Sequence, residues 1–264
     1  MNVPPHEDFA QFAHRLAEAA GAVILPYFRA RLQVDSKGDG RNFDPVTAAD
    51  RAAERMMRDM IAGRYPQHGI LGEEFGIENG EAALRWVLDP IDGTRAFISG
   101  LPLWGTLIAL CEGNEPIVGC MNQPYLDERF LGTADGAFMH MRGVTSRIVT
   151  RPCATPADAV LYATDPAMFR QPGERAAFDR VAAQARLTRF GGDCYAYCML
   201  AAGQIDLIVE ADLKFYDIAA LIPIIERAGG IVTDWQGRRA FDSGRVVAAG
   251  DVRCHAAALE LLGG

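Results

Sequence analysis

The sequence has no excess of positive charge. Its 26 Lys and Arg stand against 34 Asp and Glu, for a formal net charge of -8. That balance argues against nucleic-acid binding, which needs a basic surface. No hydrophobic run approaches the roughly 20 residues that cross a bilayer, and Met1–Glu7 lack the basic stretch and apolar run of a secretory signal. There is no internal repeat and no low-complexity linker. The six cysteines (Cys111, Cys120, Cys153, Cys194, Cys198 and Cys254) form no CxxC pair and no zinc-like spacing. They read as small buried hydrophobes, reduced, in a cytoplasmic protein.

What is present is ordinary globular material. The chain has 264 residues, half of them hydrophobic, enough to bury a sizeable core without disulfides or structural metals. The whole chain reads as one domain, 1–264, with an N-terminal lobe over about 1–145 and a C-terminal lobe over about 146–264. Apolar residues at three- and four-residue steps predict a helix over 7–28. A second helix follows Thr47, a plausible N-cap. Between them, 35–45 (DSKGDGRNFDP) is polar and Gly-rich and reads as a mobile loop. Strands are expected near 69–73, 85–89, 104–111 and 116–122, with 104–111 apolar enough to be central. In the second half, 160–164, 205–210, 231–235 and 245–249 read as strands. Residues 217–228 read as a helix ended by Gly229-Gly230, and 252–262 as a closing helix. Strands and helices mixed in both halves point to layered α+β architecture.

The segment richest in chemistry is Trp86-Val-Leu-Asp-Pro-Ile-Asp-Gly-Thr-Arg-Ala-Phe97. An apolar strand runs into Asp89 and is expected to stop at Pro90, which cannot donate to a ladder. Asp92 and Gly93 then turn the chain into a short helix. Two carboxylates project from a buried strand end, beside the backbone N–H groups of Gly93 and Thr94, an arrangement suited to a phosphate. Carboxylate, carbonyl and water oxygens suit hard divalent ions such as Mg²⁺, and such ions would let an acidic protein hold a phosphate ester. Asp89 is placed to bridge two ions and Asp92 to hold one. Glu73 and Glu74 end another apolar run, and Asp217 precedes an apolar helix. Each has a plainer reading: Asp89 ends a strand, Asp92 and Asp217 cap helices, Glu73 lies in a solvated loop, and Asp50 forms half of a capping box with Thr47. All of them together in one chain are hard to assign to coincidence.

In these residues the chain resembles the inositol monophosphatase family. Gly72-Glu-Glu74, Asp89-Pro-Ile-Asp-Gly-Thr94 and Tyr216-Asp217 match its three signature regions in order, and the likeness covers nearly the whole chain. The resemblance implies an α+β fold, the layered αβαβα sandwich shared with fructose-1,6-bisphosphatase. It also implies two or three Mg²⁺ ions per site, lithium sensitivity and a homodimer. It assigns Glu73, Asp89 and the Ile91 carbonyl to one metal, and Asp89, Asp92 and Asp217 to a second, with Glu73 reaching a third through water. Asp50 and Thr94 would orient the attacking water, with Glu73 counted among the catalytic groups. Asp92, Gly93 and Thr94 would hold the phosphate. Hydrolysis would then be direct in-line attack by water, without a phosphoenzyme. None of the five histidines (His6, His14, His68, His140, His255) falls in a motif, so none is expected to be catalytic. The absence of a Cys-x5-Arg loop argues against a cysteine-nucleophile phosphatase.

Family membership alone does not fix the substrate. The segments 97–110, 190–197 and 209–217 look closest to the histidinol-phosphatase branch, which releases phosphate from L-histidinol phosphate in histidine biosynthesis. Asp193 and Glu210 would face the ammonium and imidazole, with Tyr195 and Trp104 as aromatic walls. The plainer readings are an N-cap for Asp193, an exposed strand end for Glu210 and core packing for Trp104. Inositol 1-phosphate or a broad range of small phosphate esters is the enzymatic alternative. A catalytically silent metal-binding regulator is the alternative of another class. Two features depart from the family: Arg95 stands where Lys or Asn is common, and the 35–45 loop, with Lys37, cannot be placed.

Overall fold

In the computed structural model, the described residues are 6–30, 34–36, 45–239, 241 and 243–263. Helices α1 (His6–Ile24) and α2 (Ala48–Arg64) come first, and between them the short strands β1 (Val34–Ser36) and β2 (Pro45–Thr47) pair antiparallel. The middle of the loop expected over 35–45, with Lys37, lies outside the described residues. The next strands are β3 (Gly69–Gly72), β4 (Gly76–Glu78), β5 (Leu84–Asp92), β6 (Gly105–Glu112), β7 (Glu115–Gln123), β8 (Glu128–Thr133), β9 (Gly136–Met141) and β10 (Val144–Arg147). They form one eight-stranded sheet in the order β10-β9-β8-β7-β6-β5-β3-β4. It is antiparallel except where β3 runs parallel to β5. The remaining strands are β11 (Val160–Ala163), β12 (Leu187–Phe190), β13 (Leu207–Glu210), β14 (Ile231–Thr233) and β15 (Val246–Ala249). They form a five-stranded sheet in the order β12-β11-β13-β15-β14.

A short helix, α3 (Thr94–Ile98), follows β5, and the longer helices fill the layers. α1 and α2 bury Phe9, Leu16, Met57 and Ile61 against one face of the large sheet. Helices α5 (Asp193–Ala201) and α7 (Leu221–Arg227) lie between the two sheets, with Leu200, Ile222 and Ile225 meeting Leu107, Met121 and Ile208. Helices α4 (Glu174–Gln184) and α8 (Val252–Gly263) cover the far face of the small sheet through Phe178, Val181 and Ala258. This is the expected αβαβα sandwich, with an apolar layer at each interface. β6 is central as expected and is buried along its length up to Glu112. At Gly119 on β7 the backbone of α7 approaches so closely that a Cβ would overlap the Ala220 carbonyl.

Three local expectations need correction. The strand carrying Asp89 does not stop at Pro90. β5 continues to Asp92, and its pairing with β6 shifts register between Asp89 and Asp92. Within that irregularity no ladder donor is required of Pro90, and its carbonyl instead accepts from Thr106 Oγ1 at 2.8 Å. The single helix expected over 217–228 is two: α6 (Phe215–Ile218) and α7, separated at Ala219-Ala220. Pro223 lacks an N–H and its ring crowds the carbonyl four residues back, that of Ala219. The first helix also ends earlier than expected, at Ile24, followed by a 3-10 turn at Leu25–Tyr27 with Pro26 inside it.

Candidate active site

A cavity of about 230 Å³ opens where the end of β5, the start of α5 and the end of β13 converge. Three of the expected carboxylates meet there. Asp89, Asp92 and Asp217 each place an oxygen within 4.8 Å of the others. Glu73 and the backbone of Ile91 line the same cavity. Asp89 is 2 % exposed, and its carboxyl is driven well above the usual range by burial, then by Glu73, Asp92 and Asp217. Burial and Asp217 raise Asp92 to about 7. Burial raises Asp217 to about 7, with Glu73 and Glu210 adding to it. An all-oxygen cluster of buried, mutually repelling carboxylates fits a hard divalent cation by donor chemistry and by charge.

Each ligand candidate is also held by the backbone. Asp89 Oδ1 accepts from Ile91 N at 3.1 Å, closing the turn that aims both groups into the cavity. Thr94 Oγ1 donates to the Ile91 carbonyl at 3.0 Å, which leaves that oxygen a second lone pair. Asp217 sits at the third residue of α6 and accepts from Lys214 N at 2.6 Å, so it caps the helix while lining the cavity. Asp92 Oδ2 accepts from Cys194 N at 2.7 Å. Through that bond the large sheet grips the first turn of α5. Nothing in the sequence pattern linked residues 92 and 194.

Asp50 is buried, and the capping box with Thr47 is present. Asp50 Oδ2 accepts from Thr47 N at 2.8 Å and from Thr47 Oγ1 at 2.6 Å. Burial raises its carboxyl, the Thr47 hydrogen bonds oppose that, and Glu73 adds to the rise. Asp50 is thus near enough to Glu73 to feel its charge, while the cavity is lined by Glu73. Thr94, Gly93 and Arg95 line the cavity rim. Arg95 Nη1 pairs with Asp165 Oδ2 at 3.1 Å across the mouth.

Asp193 and Glu210 line the same cavity. Asp193 is the first residue of α5, after Gly192 as N-cap, and holds a left-handed φ of 43°, an uncommon backbone state for a side-chain-bearing residue. Burial raises its carboxyl to about 8, with Asp92 and Glu210 adding and Arg95 opposing. Glu210 is buried rather than an exposed strand end. Its Oε1 accepts from Thr164 N at 2.6 Å and its Oε2 from Tyr197 Oη at 2.8 Å.

The two expected aromatic walls are elsewhere. Trp104 is fully buried and packs on Phe97 and Phe28, with ring centroids 5.0 and 5.3 Å away. It belongs to the core because its neighbours Gly105–Cys111 form the central strand. Tyr195 points the other way along α5 and donates to Glu128 Oε2 at 2.6 Å. The tyrosine that lines the cavity is Tyr197. Four residues separate Asp193 and Tyr197, one helical turn, so they share a face. Residue 195 is rotated about 200° from 193 and faces away. That spacing was the signal for Tyr197.

Comparison with known proteins agrees with this geometry. Residues 6–263 match the inositol monophosphatase family. The chain is 43 % identical over 265 residues to the Arabidopsis thaliana protein named bifunctional phosphatase IMPL2, chloroplastic, covering 96 % of this chain and 75 % of that one. It is 36 % identical over 268 residues to the histidinol-phosphatase of Streptomyces coelicolor, covering 99 % and 98 %. The structure matches that of an inositol monophosphatase from Zymomonas mobilis with a TM-score of 0.87 and 45 % identity, over 99 % of this chain and 100 % of the other. With a family match over residues 6–263 and the same two-sheet, helix-layered fold as a solved member, the chain belongs to the inositol monophosphatase family.

Proposed function

We propose that the protein is a Mg²⁺-dependent phosphatase that hydrolyses L-histidinol phosphate to L-histidinol and phosphate. One observation carries the reading. The cavity that holds the Asp89, Asp92 and Asp217 cluster is also lined by a second acidic pair, Asp193 and Glu210. A neutral polyol has no use for the second pair, whereas an ammonium and an imidazole do. Histidinol-phosphatases among the relatives, alike over nearly the full chain, support the choice.

In this reading Glu73, Asp89, the Ile91 carbonyl, Asp92 and Asp217 hold the ions. Bound Mg²⁺ supplies positive charge to the phosphate and lowers the pKa of a water. Asp50 and Thr94 orient the attacking water. The N–H groups of Gly93 and Thr94 steady the phosphate oxygens as the bond from water to phosphorus forms and the bond to the alcohol oxygen breaks. The attacking water gives up one proton as it adds to phosphorus and the departing alkoxide takes up one, leaving the free alcohol and inorganic phosphate. Asp193 holds the ammonium, and Glu210, already fixed by Tyr197 and Thr164, faces the remainder of the leaving group. The protein works as a homodimer in the cytoplasm.

Phosphate release with Mg²⁺ from L-histidinol phosphate and from inositol 1-phosphate, side by side, tests this. A strong preference for histidinol phosphate, abolished by EDTA, restored by Mg²⁺ and lost in Asp92→Asn, is the expected result. A preference for inositol 1-phosphate would replace the substrate assignment. That second reading is favoured by the 45 % identity to the Zymomonas mobilis inositol monophosphatase.

A further inference from the structure

The turn that carries Glu73 is gripped from outside the cavity. Glu54 lies one helical turn beyond Asp50 on α2, on the same face, and is 0 % exposed. Its Oε2 accepts from Glu74 N at 2.7 Å and its Oε1 from Phe75 N at 3.2 Å. Glu73 N itself donates to the Leu88 carbonyl at 3.1 Å. Three consecutive backbone donors, those of residues 73, 74 and 75, are therefore all committed, and the backbone on both sides of the Glu73 side chain cannot swing. The carboxylate is packed against the chain so closely that a Cβ at Gly72 would overlap Glu54 Oε1.

Arg58, one turn further along α2, locks the arrangement. Its Nε donates to Glu54 Oε1 at 2.8 Å, its Nη1 reaches Glu78 Oε2 at 3.2 Å, and its Nη2 donates to the Gly76 carbonyl. One guanidinium thus ties Glu54 to the strand that leaves the turn. A buried carboxylate is costly unless fully paired, and here every pairing falls on the three residues after Gly72 or on Arg58.

We propose that Glu54 is a positioning residue: backed by Arg58, it fixes the 72–76 turn so that the Glu73 carboxylate faces Asp89, and so sets the affinity of the site for its divalent cation. The inference rests on the reading of Glu73 as a cation-facing group. Groups that orient a ligand from behind typically change metal affinity 10- to 100-fold when altered. Gln at residue 54 keeps the shape but replaces one acceptor oxygen with a donor, which opposes a backbone N–H or the Arg58 guanidinium.

The test is calorimetric titration of the metal-stripped protein with MgCl₂, in wild type, E54Q, R58K and E73Q, with a thermal melt of each. E54Q should weaken Mg²⁺ binding roughly 10-fold and R58K several-fold. The Mg²⁺ concentration for half-maximal activity should rise in parallel, and KM for substrate at saturating Mg²⁺ should stay unchanged. Unaltered Mg²⁺ affinity in E54Q and R58K, with E73Q weakened, would overturn the proposal and leave Glu54 as a purely structural ion pair. If E54Q does not fold, R58K decides in the same way. Wild-type affinity in E73Q would remove the reading of Glu73 and the proposal with it.

Discussion

Tyr197→Phe isolates one atom whose loss can be sized from the structure. The Tyr197 hydroxyl donates to Glu210 Oε2 at 2.8 Å, and both side chains are almost fully buried, at 2 % and 3 % exposure. Phenylalanine keeps the ring and its packing, so no cavity larger than a hydroxyl opens. The lost interaction is a hydrogen bond to a carboxylate in a dry site, which contributes about 1.5–3 kcal/mol. Water cannot readily replace it. For a chain of this size, 1 kcal/mol moves the melting temperature by roughly 2–4 °C, so a fall of roughly 3–12 °C is expected. Burial already pushes the Glu210 carboxyl upward, and Thr164 and Tyr197 pull it back. Without Tyr197 the carboxylate is less favoured and less fixed. The kinetic consequence should depend on substrate. The kcat/KM for L-histidinol phosphate should fall about tenfold, the equivalent of about 1.4 kcal/mol, whereas p-nitrophenyl phosphate, with no cationic group to place, should lose little. Calorimetric melts and phosphate-release assays on both substrates check the two halves separately. A melting temperature within 1 °C of wild type, or equal losses on both substrates, would refute the reasoning.

Asp193→Asn should cut kcat/KM for L-histidinol phosphate on the order of 10- to 100-fold, as expected for a lost charge-assisted contact. It should spare inositol 1-phosphate, and comparing the two kcat/KM ratios decides it. Gly119→Ala drives a methyl group into the Ala220 carbonyl, backbone against backbone, so urea unfolding should show a loss of about 3 kcal/mol or no stable fold. At Asp234, burial pushes the carboxyl up, but hydrogen bonds from the Arg238 backbone and side chain and from Gln236 outweigh it, so the group lies below its ordinary value. Its contribution is therefore present above about pH 4 and fades as pH falls through the folded-state value. Urea midpoints should show Asp234→Asn less stable than wild type at pH 7, with the gap shrinking below about pH 4.

The legible parts of this protein are those in which a local rule and a tertiary need coincide. Thr47 and Asp50 form a capping box whether or not anything lies beyond the helix, so the start of α2 could be read directly. The apolar run at 105–111 can only be central, and Asp89, Asp92 and Asp217 stand out because each breaks an apolar stretch. What could not be read depends on contacts between distant segments. The break at Ala219 follows from Pro223, a rule available in the sequence but masked by the strong apolar stripe around it. The strands at 128–147 alternate polar and apolar residues too weakly to stand out, and successive pairing, β8 on β7, β9 on β8 and β10 on β9, organises them. The bond from Cys194 N to Asp92 has no local signature at all. Yet it joins the end of β5 to the first turn of α5, and so brings Asp193 and Tyr197 into the cavity that the β5 carboxylates line. The same logic separates Tyr197 from Tyr195. Both are aromatic, both adjoin the acidic segment, and only the helical turn from Asp193 determines which one faces Glu210. A site on this fold is thus specified twice. Its carboxylates are set by strand ends and helix caps that sequence reveals, and the α5 side chains that join them by a hydrogen bond to a distant strand.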